Sequence, residues 1–81
     1  MNDISRDRVR LCLLKLVKGG TTSYQAIEDN ASAKCLPFAT RSIIVRQFYK
    51  YLVQEKYILR VSRGQYRLSE RGELLLVILS S

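Results

Sequence analysis

Histidine occurs nowhere in the 81-residue chain. Its absence removes the commonest general base and the commonest metal-ligating side chain. Cysteine is limited to Cys12 and Cys35. Two isolated thiols cannot build a structural zinc site unaided. Both stand in apolar contexts. A disulfide between them is allowed but unforced, and small buried thiols are the expected state. Glycine is scarce, at four residues, and no glycine-rich phosphate loop is present. Long apolar runs are missing too. Leu11 to Leu14 is short and flanked by Arg and Lys, unlike a secretory signal, and no stretch approaches the roughly 20 apolar residues of a membrane span. No nucleophile stands beside a base. These absences leave little room for catalysis, so the expectation is a non-enzymatic, cytoplasmic or nucleoid-associated protein with no cofactor, no metal and no membrane contact.

What is present in excess is positive charge. Fourteen Lys and Arg face seven Asp and Glu, a formal net charge of +7. A small domain this basic attracts polyanions at long range, nucleic acid first among them. Hydrophobic residues make up 47% of the chain, enough for one globular domain with a limited core.

Hydrophobic spacing divides the chain into five pieces. From about 6 to 18, Val9, Cys12, Leu13, Leu16 and Val17 recur at helical intervals, and Gly19-Gly20 stops the helix. A second helix is expected over about 22–34. Thr22 with Gln25 fits a capping box, and Ser23 is a competing cap. Pro37 suits the first turn of a third helix over about 38–55. Tyr57 to Val61 and Gln65 to Ser69, around Arg63-Gly64, read as a β-hairpin over 57–69. Ser69 can cap a last helix over 70–79. Leu74 to Leu79 are apolar throughout, so that this segment must be buried all round or packed on a partner. A strand is the competing reading there. The fold class is therefore mainly α with a small β-hairpin (α+β), in the order helix-helix-helix-hairpin-helix.

Several stretches carry a resemblance. Leu13 to Gly20 resembles the end of the first helix of winged helix-turn-helix domains, and Thr22 to Ile27 the start of the second. Val45, Tyr49 and Leu52, followed by Tyr57-Ile58, resemble the buried side of a recognition helix entering the wing. Tyr66-Arg67-Leu68-Ser69-Glu70-Arg71-Gly72 resembles the strand-to-helix junction of small prokaryotic and archaeal regulators, where a Tyr-x-Leu-Thr/Ser-x-x-Gly pattern recurs. In order and spacing the chain resembles this superfamily from Arg8 to about Leu76. One difference is the stretch from Ala31 to Pro37. The usual turn has three or four residues, so either the second helix is long or the turn is expanded.

The resemblance implies a double-stranded DNA-binding protein of transcription regulation, with the third helix in the major groove and the wing on the backbone or minor groove. Successive helical residues turn by about 100°. Val45, Phe48, Tyr49 and Leu52 then form the inward stripe, while Ser42, Arg46 and Lys50 form an outward polar line bordered by Thr40, Ile43 and Gln47. Such a mixture suits a groove: Arg46 to guanine or phosphate, Gln47 to adenine, Lys50 to phosphate, with Thr40, Arg41 and Ser42 at the helix start. With Arg63-Gly64 as a two-residue turn, Ser62 faces Gln65, Val61 faces Tyr66, Arg60 faces Arg67 and Leu59 faces Leu68. Opposed Arg60 and Arg67, with Arg63 at the tip, are relieved by a phosphate. The expected DNA contacts are thus Thr40, Arg41, Ser42, Arg46, Gln47, Lys50, Arg60, Arg63 and Arg67. A homodimer through Leu74, Leu75, Val77 and Ile78 is expected, although the same run can close the monomer's core. The alternative is a protein-interaction subunit of a replication or transcription complex with weak, non-specific DNA binding.

Overall fold

A computed structural model describes residues 3–35 and 39–81. The chain is mainly helical, with four helices and one antiparallel hairpin. Helix α1 spans Asp3–Lys18, α2 Tyr24–Cys35 and α3 Arg41–Gln47. The last continues directly into a widened, π-helical segment, Phe48–Val53. Strands β1 (Ile58–Ser62) and β2 (Gln65–Leu68) follow, then α4 (Glu70–Ser80). Of the two readings open for 74–79, the helix is correct. α1 begins three residues before the expected start at Arg6, so Ser5 lies inside the helix. The expected role of Pro37 falls outside the described residues.

The core is built where the apolar spacing puts it. Val9, Leu13, Leu16 and Val17 of α1 are buried, joined by Leu14, and meet Ile27 and Ala31 of α2, Ile44, Phe48 and Leu52 of α3 and its extension, and Ile58 and Tyr66 of the hairpin. Three caps set the helix starts. Ser23 Oγ accepts from the Ala26 amide at 3.3 Å, so the competing cap prevails over the Thr22–Gln25 box. Thr22 Oγ1 instead donates to Gln65 Oε1 at 3.0 Å. Thr40 Oγ1 accepts from the Ile43 amide, and Ser69 Oγ from the Gly72 amide. α1 ends on Gly20 at φ +104°, with its last turn closed by Gly20 N to Val17 O (3.2 Å) and Thr21 N to Leu16 O (2.9 Å). The α3 extension ends in the same pattern, Lys56 N to Val53 O (3.1 Å) and Tyr57 N to Leu52 O (2.9 Å), with Lys56 held at φ 65° where glycine is the usual occupant.

The hairpin register differs from expectation. Ile58 pairs with Leu68, Leu59 with Arg67, Arg60 with Tyr66 and Ser62 with Gln65, with an irregularity between Arg60 and Ser62. Val61 is the extra, unpaired residue of a bulge. One added residue moves every position before it to the opposite face. The apolar face is therefore Ile58, Tyr66 and Leu68, not Leu59, Val61, Tyr66 and Leu68, and Val61 is 53% exposed. The turn asks a positive φ only of Gly64 (+73°), which spares Arg63. A short bridge of Ser23 to Gln65, with Tyr24 N to Gly64 O at 3.1 Å and Tyr66 N to Thr22 O at 2.9 Å, fastens β2 to the start of α2.

Candidate nucleic-acid interface

α3 presents its inward face about one residue away from the expected position. Ile44, Phe48 and Leu52 are fully buried, Val45 is only half-buried and Tyr49 is 38% exposed. Gln47, expected to face outward to a base, is buried at 6%. Its Oε1 accepts from Arg10 Nε at 2.8 Å, and the Arg10 guanidinium lies 3.5 Å from the centre of the Tyr51 ring. A buried amide is acceptable only with such a partner. Gln47 is thus a joint between α1 and α3, which corrects its place among the groove-facing residues. The signal for this rotation is the run Ile44, Phe48, Leu52, three large apolar residues at four-residue spacing.

The outward line holds. Thr40, Ser42, Arg46 and Lys50 are all exposed. Arg46 and Lys50 make no ion pair among the described residues. Arg41 is exposed but engaged, its Nε donating to Oε1 of Glu28, a carboxylate on α2 whose side chain is only 8% exposed. The pair fixes α3 against α2. α2 runs twelve residues, to Cys35. The longer second helix therefore accounts for much of the added stretch after Ala31.

In the hairpin, Arg60 and Arg67 are exposed but not opposed. The bulge leaves Arg60 opposite Tyr66, on the side of α3, and Arg67 opposite Leu59 on the other face, where its guanidinium meets Leu68 O at 3.3 Å. The expected like-charge pair therefore does not exist. Arg63 stands exposed in the turn. Arg60 and Arg63 also lack ion pairs among the described residues.

An aromatic cluster joins the two surfaces. Tyr49 packs on Tyr24 (4.9 Å between ring centres), Phe48 (5.0 Å) and Tyr66 (6.4 Å). Burial, and then a hydrogen bond with Tyr66, hold the Tyr49 hydroxyl well above its usual range, while the charge of nearby Arg60 draws it back down. Burial, and then the Glu28 carboxylate, push Tyr24 up to about 12. Tyr49 is the residue the sequence misplaces. It is neither core nor free surface, but a ring packed on Tyr24, Phe48 and Tyr66, with the Arg60 charge acting on its hydroxyl.

Away from this surface, a groove of about 280 Å³ runs between α1 and α2, lined by Arg8, Leu11, Cys12, Lys15, Leu16 and Lys34. It holds no carboxylate and no hydroxyl. Cys12 is a free, half-buried thiol. Among the described residues no three His, Cys, Asp or Glu side chains gather as a metal site, and no helix is long and apolar enough to cross a membrane. No protein-family model, curated protein or solved structure matches the chain.

Proposed function

We propose that the protein is a winged helix-turn-helix protein that binds duplex DNA, with α3 directed into the major groove and the hairpin as a wing on the adjoining backbone or minor groove, and that it acts in transcription regulation without catalysis. The observation that carries this reading is a single one. Arg46, Lys50, Arg60 and Arg63 are exposed cations without a carboxylate ion pair among the described residues, on α3, its extension and the hairpin. The element order and the bridge from Thr22–Ser23 to β2 support the winged helix assignment. Exposed Ser42 and Thr40 add hydrogen-bonding capacity at the helix start, where base or phosphate contacts are usual. Arg41 contributes through its outer nitrogens, since Nε serves Glu28. Arg67 lies on the far face of the hairpin and is left out of the principal surface.

Fluorescence anisotropy against a duplex over a range of salt tests this. Each phosphate neutralised adds about 0.9 to the slope of log affinity against log salt. Four cations therefore give a slope of about −3.6, and Arg46→Ala or Arg63→Ala each reduce its magnitude by about 0.9. No binding at low salt would refute the reading. Selection from random duplexes then separates sequence reading from backbone attraction. A second reading, a protein-interaction subunit with weak non-specific DNA binding, is favoured by one observation: α4 exposes three large aliphatic side chains.

A further inference from the structure

Among the described residues five large hydrophobics are substantially exposed, and three of them lie on α4: Leu74 (61%), Val77 (65%) and Ile78 (67%). Their spacing of three and four residues puts them on one face. Leu75, Leu76 and Leu79 turn the other way, into the core. So the apolar run does both things the sequence allowed, one face closing the monomer and the other left open. Beside the exposed ridge lies a hollow of about 170 Å³, lined by Tyr57, Arg71, Leu74, Leu75 and Ile78.

We infer that this face binds a second copy of the chain, α4 against α4 in antiparallel order about a two-fold axis. The shape supports it. Ridge and hollow sit side by side on one helix, and an isologous contact presents each to the other. Leu74 of one copy then lies against Ile78 of its partner, and Val77 enters the partner's hollow. Charge argues against an anionic lipid surface as the occupant. The exposed face has no cation in its last turn, and the first turn carries Glu70 and Glu73. Glu73 is already paired with Lys18 of α1, and Arg71 is spent on Glu55 O (2.9 Å) and the Tyr57 ring. The patch is thus close to neutral, as a self-association surface on a chain of net charge +7 must be.

Area sets the strength. A stable interface takes roughly 800 Å² from each partner, about a sixth of the 5075 Å² this chain exposes. An eleven-residue helix is about 16 Å long and supplies only part of that. The edge of Tyr57 must join it, and the dimer is expected to be weak and concentration-dependent.

This inference does not depend on DNA binding. Sedimentation equilibrium of the full chain tests it. The average mass should climb from 9.4 kDa toward twice that value between about 1 and 100 µM. Val77→Glu should hold the monomer mass at every concentration with unchanged circular dichroism and melting temperature, because the side chain is exposed. Val61→Glu, an equally exposed site on the hairpin, should leave association intact. A monomer throughout overturns the inference, and so does a dimer indifferent to Val77→Glu. A monomer that sediments with phosphatidylglycerol vesicles through Val77 assigns the face to lipid instead and overturns it as well. A Val77→Glu monomer that still binds duplex with a steep salt slope leaves the proposed function standing, so the two failures are distinguishable.

Discussion

Replacing Gly72 with Ala is the sharpest test of the packing described above. A Cβ built there would lie 2.0 Å from Tyr57 O and 2.9 Å from its carbonyl carbon. Ordinary contact begins near 3.4 Å, so one backbone must withdraw by well over an ångström. Tyr57 O cannot yield cheaply. It accepts from the Ser69 amide at 3.0 Å and from Ser69 Oγ at 3.1 Å, the bonds that seat the start of α4. Loosening them costs about 0.5–1.5 kcal/mol each, and overpacking adds about 1–3 kcal/mol. Against this, Ala is worth about 1 kcal/mol over Gly in a helix. The net is a loss of about 1–5 kcal/mol, centred near about 3 kcal/mol, and at about 4–8 °C per kcal/mol for a chain of this size the central value lowers the melting temperature by roughly 12–24 °C. Thermal and urea melts followed by circular dichroism measure it, with Val61→Ala, at an exposed position off the α4 face, as a near-neutral control. A free helical glycine would give the opposite sign. An unchanged or raised melting temperature for Gly72→Ala refutes the close approach of α4 to Tyr57.

Gln47→Ala should separate architecture from recognition. It strands Arg10 Nε and empties a buried site, costing about 1–3 kcal/mol in a denaturant melt, while the salt slope of duplex binding stays as in the parent. A lost slope with unchanged stability would return Gln47 to the groove. Lys56→Gly relieves a left-handed residue worth about 1–2 kcal/mol of strain, less about 0.5–1 kcal/mol for the freer unfolded chain. The melting temperature should rise by a few degrees, and a fall would show that the lysine side chain has a role of its own. Raising the pH tests Tyr24. Its folded value is raised to about 12 from 10.0, so the unfolded chain loses that proton first. The contribution is fully present below pH 10 and is lost as pH climbs from 10 toward 12. Stability should decline across that interval, with phenolate absorbance appearing late. A flat profile would contradict the enclosure of this ring.

Most of the helix ends were legible because they are written in short-range chemistry. Gly19-Gly20 and Ser69 act on neighbours a few residues away, and both behave as their residue types dictate. The motif Tyr66 to Gly72 was legible as a pattern before its reason was visible: Ser69 bonds back to Tyr57 and Gly72 makes room for the same carbonyl. Two features were beyond a one-dimensional reading. A bulge at Val61 follows from how the hairpin docks on the helices, and nothing in Leu59-Arg60-Val61-Ser62 marks which residue will be left unpaired. The burial of Gln47 depends on Arg10, thirty-seven positions away. Amphipathic spacing counts an amide as polar and puts it outside, because it cannot see a partner that arrives from another helix. The outward line Ser42, Arg46 and Lys50 survived both corrections, since no element packs over it.

The bridge from the start of α2 to the far end of the hairpin carries a mechanical consequence. A lone two-stranded ribbon frays from its tip. Here the tip is clamped, through Gly64 O and the Tyr66 amide, to the residues that begin α2, and α2 is in turn locked to α3 by Glu28 and Arg41. Hairpin and α3 are two prongs of one rigid fork rather than a fixed helix with a swinging arm. A displacement of Arg63 is therefore opposed by the backbone bonds to the start of α2 and, beyond them, by the Glu28–Arg41 pair. Under the proposed function, a duplex that fits one prong must already have the groove spacing that suits the other.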